Sequence, residues 1–149
     1  MQIQTRAFGP IEIDEEQILT LTEPMVGFPG HHRFAVLDPD PEAPFKWFQA
    51  VDREDLCFLI ADPRHFFPDY RVELKAEALA DLQLAEGSEA AVAVVLNVPG
   101  DPAQATANLL APVIFNAGRK LARQVILDGT GHGVRTPLFP EEKRVCHGS

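Results

Sequence analysis

Serine is nearly missing from this 149-residue chain: Ser88 sits in the turn-like run Glu86-Gly87-Ser88-Glu89, and Ser149 stands at the far end of a polar stretch. Neither lies on a strand-to-helix elbow, so serine-based nucleophilic catalysis has no candidate. Cysteine is as scarce. Cys57 lies inside the apolar run Leu56-Cys57-Phe58-Leu59-Ile60 and Cys146 in a polar tail, a pair that makes no disulfide framework. Apolar flanks raise a thiol's pKa and bury its sulfur, so Cys57 reads as packing rather than as a nucleophile. No stretch approaches the roughly 18 apolar residues of a membrane span, and Met1-Gln2-Ile3-Gln4-Thr5-Arg6 lacks the charged-then-apolar layout of a signal peptide. A soluble protein of the cytoplasm, with no membrane partner, is expected.

Positive charge is short as well: 13 basic against 22 acidic side chains leave a formal net charge of -9. Nucleic-acid binders need a basic footprint to displace phosphate counterions, so direct contact with RNA or DNA is not expected. A basic protein partner suits this charge better, because opposite charge speeds encounter. His31, His32, His65, His132 and His147 have no metal-site spacing. Gly27, Gly30, Gly118, Gly129, Gly131 and Gly133 lack the lysine and the strand-loop-helix setting of a phosphate cradle. No metal and no cofactor is expected. The acidic clusters at 12–16, 38–42 and 52–55 read as solvated surface.

Apolar residues are abundant, at 46% of the chain, enough for one domain of this length to bury a core. Short β-type runs recur between Gly, Pro and Asp: Ile3 to Phe8, Ile11 to Ile13, Gln17 to Thr22, Arg33 to Leu37, Phe45 to Val51, Leu56 to Ala61 and Arg71 to Leu74. Further runs are Ala90 to Val98, Asn108 to Asn116 with a break at Pro112, and Leu121 to Leu127. The first two predict a hairpin across Gly9-Pro10. Links too short for crossover helices predict antiparallel pairing, and Ala76 to Leu82 predicts one short helix. Thirteen prolines suit edges and turns. The fold class is mainly β: a small closed or nearly closed antiparallel β-barrel with one or two short helices, because closure removes exposed edges. Residues 1–139 form a single domain, 140–149 a flexible C-terminal tail, and the protein is expected to be a monomer.

Three segments stand out. Gly27-Phe28-Pro29-Gly30 is a tight turn carrying one ring, Phe45-Lys46-Trp47-Phe48-Gln49-Ala50-Val51 holds the lone tryptophan, and Thr106 to Asn116 brackets an apolar strand with Asn108 and Asn116. The rings pack in a core and the amides satisfy turns, or an aromatic and amide-lined patch stays open for a partner.

At these segments the chain resembles the flagellar assembly factor family, FliW. The resemblance runs through Gly9 to Glu16, Gly27 to Gly30, Phe45 to Val51 and on through Phe58 to Tyr70, Thr106 to Asn116, and Gln124-Val125-Ile126-Leu127, in order over nearly all of residues 1 to 138. The chain departs from the family pattern at Phe48-Gln49-Ala50, where Leu-Gln-Ser is usual, and at His31, where an acidic residue is usual. The resemblance implies a β-barrel-like fold without enzymatic activity. It also implies a partner-switching regulator that binds flagellin and the CsrA-type translational repressor, relieving repression of flagellin mRNA. Candidate partner-binding residues are Phe28, Trp47, Gln49, Tyr70, Glu77, Asp81, Asn108, Leu109 and Asn116. The alternative is a small ligand-binding or hydrolytic β-barrel whose loop from Asp62 to Tyr70 sets Asp62, His65, Asp69 and Tyr70 around a polar pocket. A structural subunit with a self-complementary surface is a weaker third reading.

Overall fold

In the computed structural model, which describes residues 1–6, 8–38, 40–85, 90–127 and 131–139, the alternating N-terminal run becomes the predicted hairpin. Strand β1 (Gln2–Thr5) pairs antiparallel with β2 (Gly9–Glu12). Gly9 turns the chain at φ +68, a conformation that a side chain disfavours. The Thr5 hydroxyl donates to the Gly9 carbonyl at 2.8 Å and accepts the Phe8 N–H at 2.9 Å. The tail expected over 140–149 lies outside the described residues.

The remaining strands are β3 (Ile18–Leu21), β4 (Arg33–Leu37), β5 (Phe45–Ala50), β6 (Cys57–Ala61), β7 (Ala91–Asn97), β8 (Thr106–Ala107), β9 (Val113–Asn116), β10 (Leu121–Gln124) and β11 (Thr136–Pro137). Seven of them close a ring in the order β3-β4-β5-β6-β7-β9-β10 and back to β3. Of the run predicted from Asn108 to Asn116, only the part beyond Pro112 is a strand; residues 108–112 are irregular, and the chain's preceding strand, β8, ends at Ala107. Ahead of the break β8 pairs with the end of β7, Leu96 opposite Ala107, and beyond it β9 pairs with the start of β7, Ala93 opposite Val113.

Two expectations need correction. The barrel is not antiparallel throughout, because β10 runs parallel to β3, with Leu121 opposite Thr20 and Ala122 opposite Leu21. A ring of seven strands cannot alternate direction at every step, so one parallel pair is forced. The run Arg71 to Leu74 is not a strand. Both sides of β6 are already taken, by β5 and β7, so no ladder is free beside it. The segment instead alternates half-buried Val72 and Leu74 against the barrel's outside. The predicted helix forms as α1 (Ala76–Asp81), with Leu82 beyond it fully buried.

Alternation along the strands sorts the apolar side chains into two layers. Phe34, Phe48, Phe58, Ile60, Ala93, Val113, Phe115 and Ala122 fill the interior. There Phe34 stacks on Phe48 at 4.6 Å between ring centroids, and Phe48 meets Phe115 edge-on at 5.7 Å. The intervening residues are apolar too, so the outside of the barrel needs covers. The hairpin's Ile3, Ile11 and Ile13 cover Ala35, Leu37 and Trp47. Phe66, Phe67, Tyr70, Leu127 and Leu138 cover Leu59, Ala61, Val94 and Leu96. Tyr70 is pinned there: its hydroxyl donates to the Leu109 carbonyl at 2.7 Å, and burial pushes the phenol up to about 12.

Two expectations follow for stability. Truncating Phe48, wholly buried in the interior stack, should cost about 3–5 kcal/mol in a urea titration of Phe48→Ala; a loss below about 1.5 kcal/mol would mean a loosely packed interior. Tyr70 gives a pH signature. An unfolded phenol ionises near 10.0 and the folded one near 12. The preference for the neutral hydroxyl therefore contributes in full below pH ~10 and is lost between about 10 and 12. Tyr70→Phe should be less stable by about 1 kcal/mol at neutral pH and decline less steeply across that alkaline window; an unchanged alkaline slope would contradict the assignment.

Candidate functional site

The two ends of the barrel differ. At one end the turn Gly27-Phe28-Pro29-Gly30 folds inward, with both glycines at positive φ and the Phe28 N–H donating to the Met25 carbonyl at 2.9 Å. Met25 and Leu56 are buried in the interior cluster, and Phe28 packs edge-on against Phe58 at 5.4 Å. That end is plugged. At the other end the interior opens into a cavity of about 520 Å³, with Leu19, Val36, Ile60, Ala93 and Phe115 in its wall and Ala91, Lys46, Asp62 and Arg64 also lining it.

The charges of this mouth are paired among themselves. Lys46 Nζ lies 4.0 Å from Asp38 Oδ2, and Arg64 Nε lies 3.7 Å from Asp62 Oδ1. Asp62 also caps the 3₁₀ turn Pro63–His65 by accepting the Arg64 N–H at 2.9 Å. An adjoining recess of about 470 Å³ is lined by Pro44, Asp62, Arg64 and His65. Of the four residues grouped for a polar catalytic pocket, it brings together only Asp62 and His65. Tyr70 is turned into the fold, and Asp69 is not part of that lining.

The candidate partner residues lie in three settings. Gln49, Tyr70 and Leu109 are buried. Gln49 Nε2 points at four carbonyls, those of Ala50 and Arg53 at 3.0 Å, Leu56 at 3.2 Å and Glu54 at 3.4 Å, gathering the turn between β5 and β6, while Oε1 has no partner among the described residues. The Arg6 N–H hooks the hairpin onto this turn through the Glu54 carbonyl at 2.9 Å, and His31 Nδ1 meets Asp52 Oδ1 at 3.0 Å. Phe28, Trp47, Asn108 and Asn116 are half-buried. Trp47 packs under the hairpin beside Phe8, with centroids 6.0 Å apart. Asn108 Oδ1 accepts the Ala111 N–H at 3.1 Å, and Asn116 Nδ2 donates to the Leu82 carbonyl at 2.8 Å.

Glu77 and Asp81, on α1, face Arg123 of β10 at 3.5 Å and 3.1 Å. Asp81 is committed to the fold, whereas the Glu77 side chain is 81% exposed. Arg123, central to this cluster, was not singled out from sequence: its partners Asp81, Glu77 and Glu23 are remote along the chain. The apolar wall residues Leu19, Val36, Ile60, Ala93 and Phe115 were missed because each reads as ordinary core, whereas Asp62 of the same lining was named for a polar pocket.

The wall of the mouth is mostly apolar. Burial pushes the Cys57 thiol up to about 11, which leaves little thiolate at neutral pH for nucleophilic attack. Among the described residues, no group of three or more His, Cys, Asp and Glu side chains converges as metal ligands, and no helix is long and apolar enough to cross a membrane.

The FliW protein family profile matches residues 2–138. The flagellar assembly factor FliW of Geotalea uraniireducens (strain Rf4) is 36% identical over 144 residues, covering 97% of this chain and 88% of that protein. Its counterpart in Natranaerobius thermophilus is 35% identical over 150 residues, covering 100% and 99%. A crystal structure of the flagellar assembly factor FliW superposes with a TM-score of 0.87 at 34% identity, over 95% of this chain and 99% of that one. In sequence and in three dimensions alike, the chain belongs to the FliW family of flagellar assembly factors.

Proposed function

We propose that this flagellar assembly factor works in the cytoplasm by binding flagellin and a CsrA-type translational repressor in turn, with no chemical step of its own. The observation that carries the reading is the apolar mouth of about 520 Å³ whose charged lining residues are already paired. Such a recess favours the apolar face of an amphipathic helix, anchored by residues three and four apart, which is the form we assign to a terminal segment of flagellin. The repressor, carrying basic groups for RNA, is drawn by the net charge of -9. Two ligands that exclude each other on one protein each lower the other's apparent affinity, and this linkage is all that the switch requires. Of the acidic pair on α1, only the exposed Glu77 is offered to the repressor's basic groups, since Asp81 holds Arg123 and Thr22.

Ala91 lines the mouth yet is solvent-exposed, so a large charged side chain is tolerated there without disturbing the core. Ala91→Arg should weaken flagellin binding at least about tenfold in fluorescence anisotropy, with an unchanged circular dichroism spectrum and melting temperature. Unaltered affinity would remove the mouth from the interface. Adding flagellin to a preformed complex with the repressor should release the repressor; a stable ternary complex would overturn the switch.

A further inference from the structure

The parallel ladder between β3 and β10 is the shortest in the ring, pairing only Leu121 with Thr20 and Ala122 with Leu21. Around it, β3–β4 pairs three positions and β9–β10 four. Two further backbone bonds cross the seam, from the Thr20 N–H to the Lys120 carbonyl at 2.8 Å and from the Thr22 N–H to the Ala122 carbonyl at 2.9 Å.

Outside this seam sits α1, too short to be helical on its own, since isolated helices below roughly 12 residues are marginal in water. One oxygen of its last residue reaches both sides. Asp81 Oδ2 accepts the hydroxyl of Thr22, just beyond β3, and pairs with Nη1 of Arg123, in β10, at 3.1 Å. Arg123 Nη2 also faces Glu77 at 3.5 Å and Glu23, next to Thr22, at 3.7 Å. The third attachment falls on β9, where Asn116 holds the Leu82 carbonyl.

We propose that α1 is a clasp across the parallel seam, with the Asp81 carboxylate as its pin, and that the barrel opens first at this seam when the pin is lost. The seam borders the mouth: Leu19 of β3 and Phe115 of β9, on either side of β10, both line the cavity. The inference is independent of which partner the mouth accepts.

The test is amide hydrogen exchange followed by NMR in the whole chain, comparing wild type with Asp81→Ala and Thr22→Val. The Thr20 and Thr22 amides should exchange on the order of tenfold faster in both variants, while the Val51 amide, bonded to the Arg33 carbonyl between β4 and β5, keeps its rate. If Asp81→Ala fails to fold, wild type at low and at about 0.5 M salt replaces it, because screening weakens a partly exposed pair and should speed the same two amides selectively. Seam amides that move in step with the rest of the barrel, or do not move, would overturn the clasp.

Discussion

Seven is odd, and much of this molecule follows from that. Neighbouring strands in a closed ring can all be antiparallel only if their number is even. With β1 and β2 withdrawn into a separate hairpin and β8 and β11 set at the end of β7, seven strands remain and one seam must be parallel. It falls between β3 and β10, is short, and carries the half-buried Arg123, the three carboxylates and the small helix around it. Glu23 and Glu77 stay largely exposed, so losing Asp81 chiefly removes the one carboxylate that links Arg123 to Thr22.

A second constraint is that the strands are apolar on both faces. The interior is filled by phenylalanines and aliphatic residues, and the outside is sealed in patches by the hairpin and by the aromatic loop with Tyr70. Each cover hides surface that would otherwise be sticky. The Gly27–Gly30 turn plugs one end, and the other holds a cavity walled by Leu19, Val36, Ile60, Ala93 and Phe115. The closed ring frames this cavity.

Much of the fold was legible in the sequence because strand side chains alternate and Gly and Pro mark the turns. The hairpin at Gly9-Pro10 and the helix after Lys75 appear where expected, and beyond Pro112 the predicted run is a strand, though residues 108–112 are not. The parallel seam was not legible, since it depends on how many strands join the ring, which no local pattern encodes. Arg71 to Leu74 alternates like a strand but finds no free edge, so tertiary context overrode its pattern. The site was less readable. Gln49, Tyr70 and Leu109 looked available and are buried, and Asp81 looked solvated and pins a seam, because their partners are carbonyls and an arginine brought in by folding. The family was readable because several matched pieces keep their order along the chain.

The central claim, that this molecule acts through the open end of its barrel, is tested most directly by methyl NMR titration with a flagellin terminal segment. The account predicts shifts concentrated at Leu19, Val36, Ile60 and Ala91, with the plugged end around Met25 left in place. Shifts confined to the plugged end or to the hairpin, with the mouth silent, would contradict it.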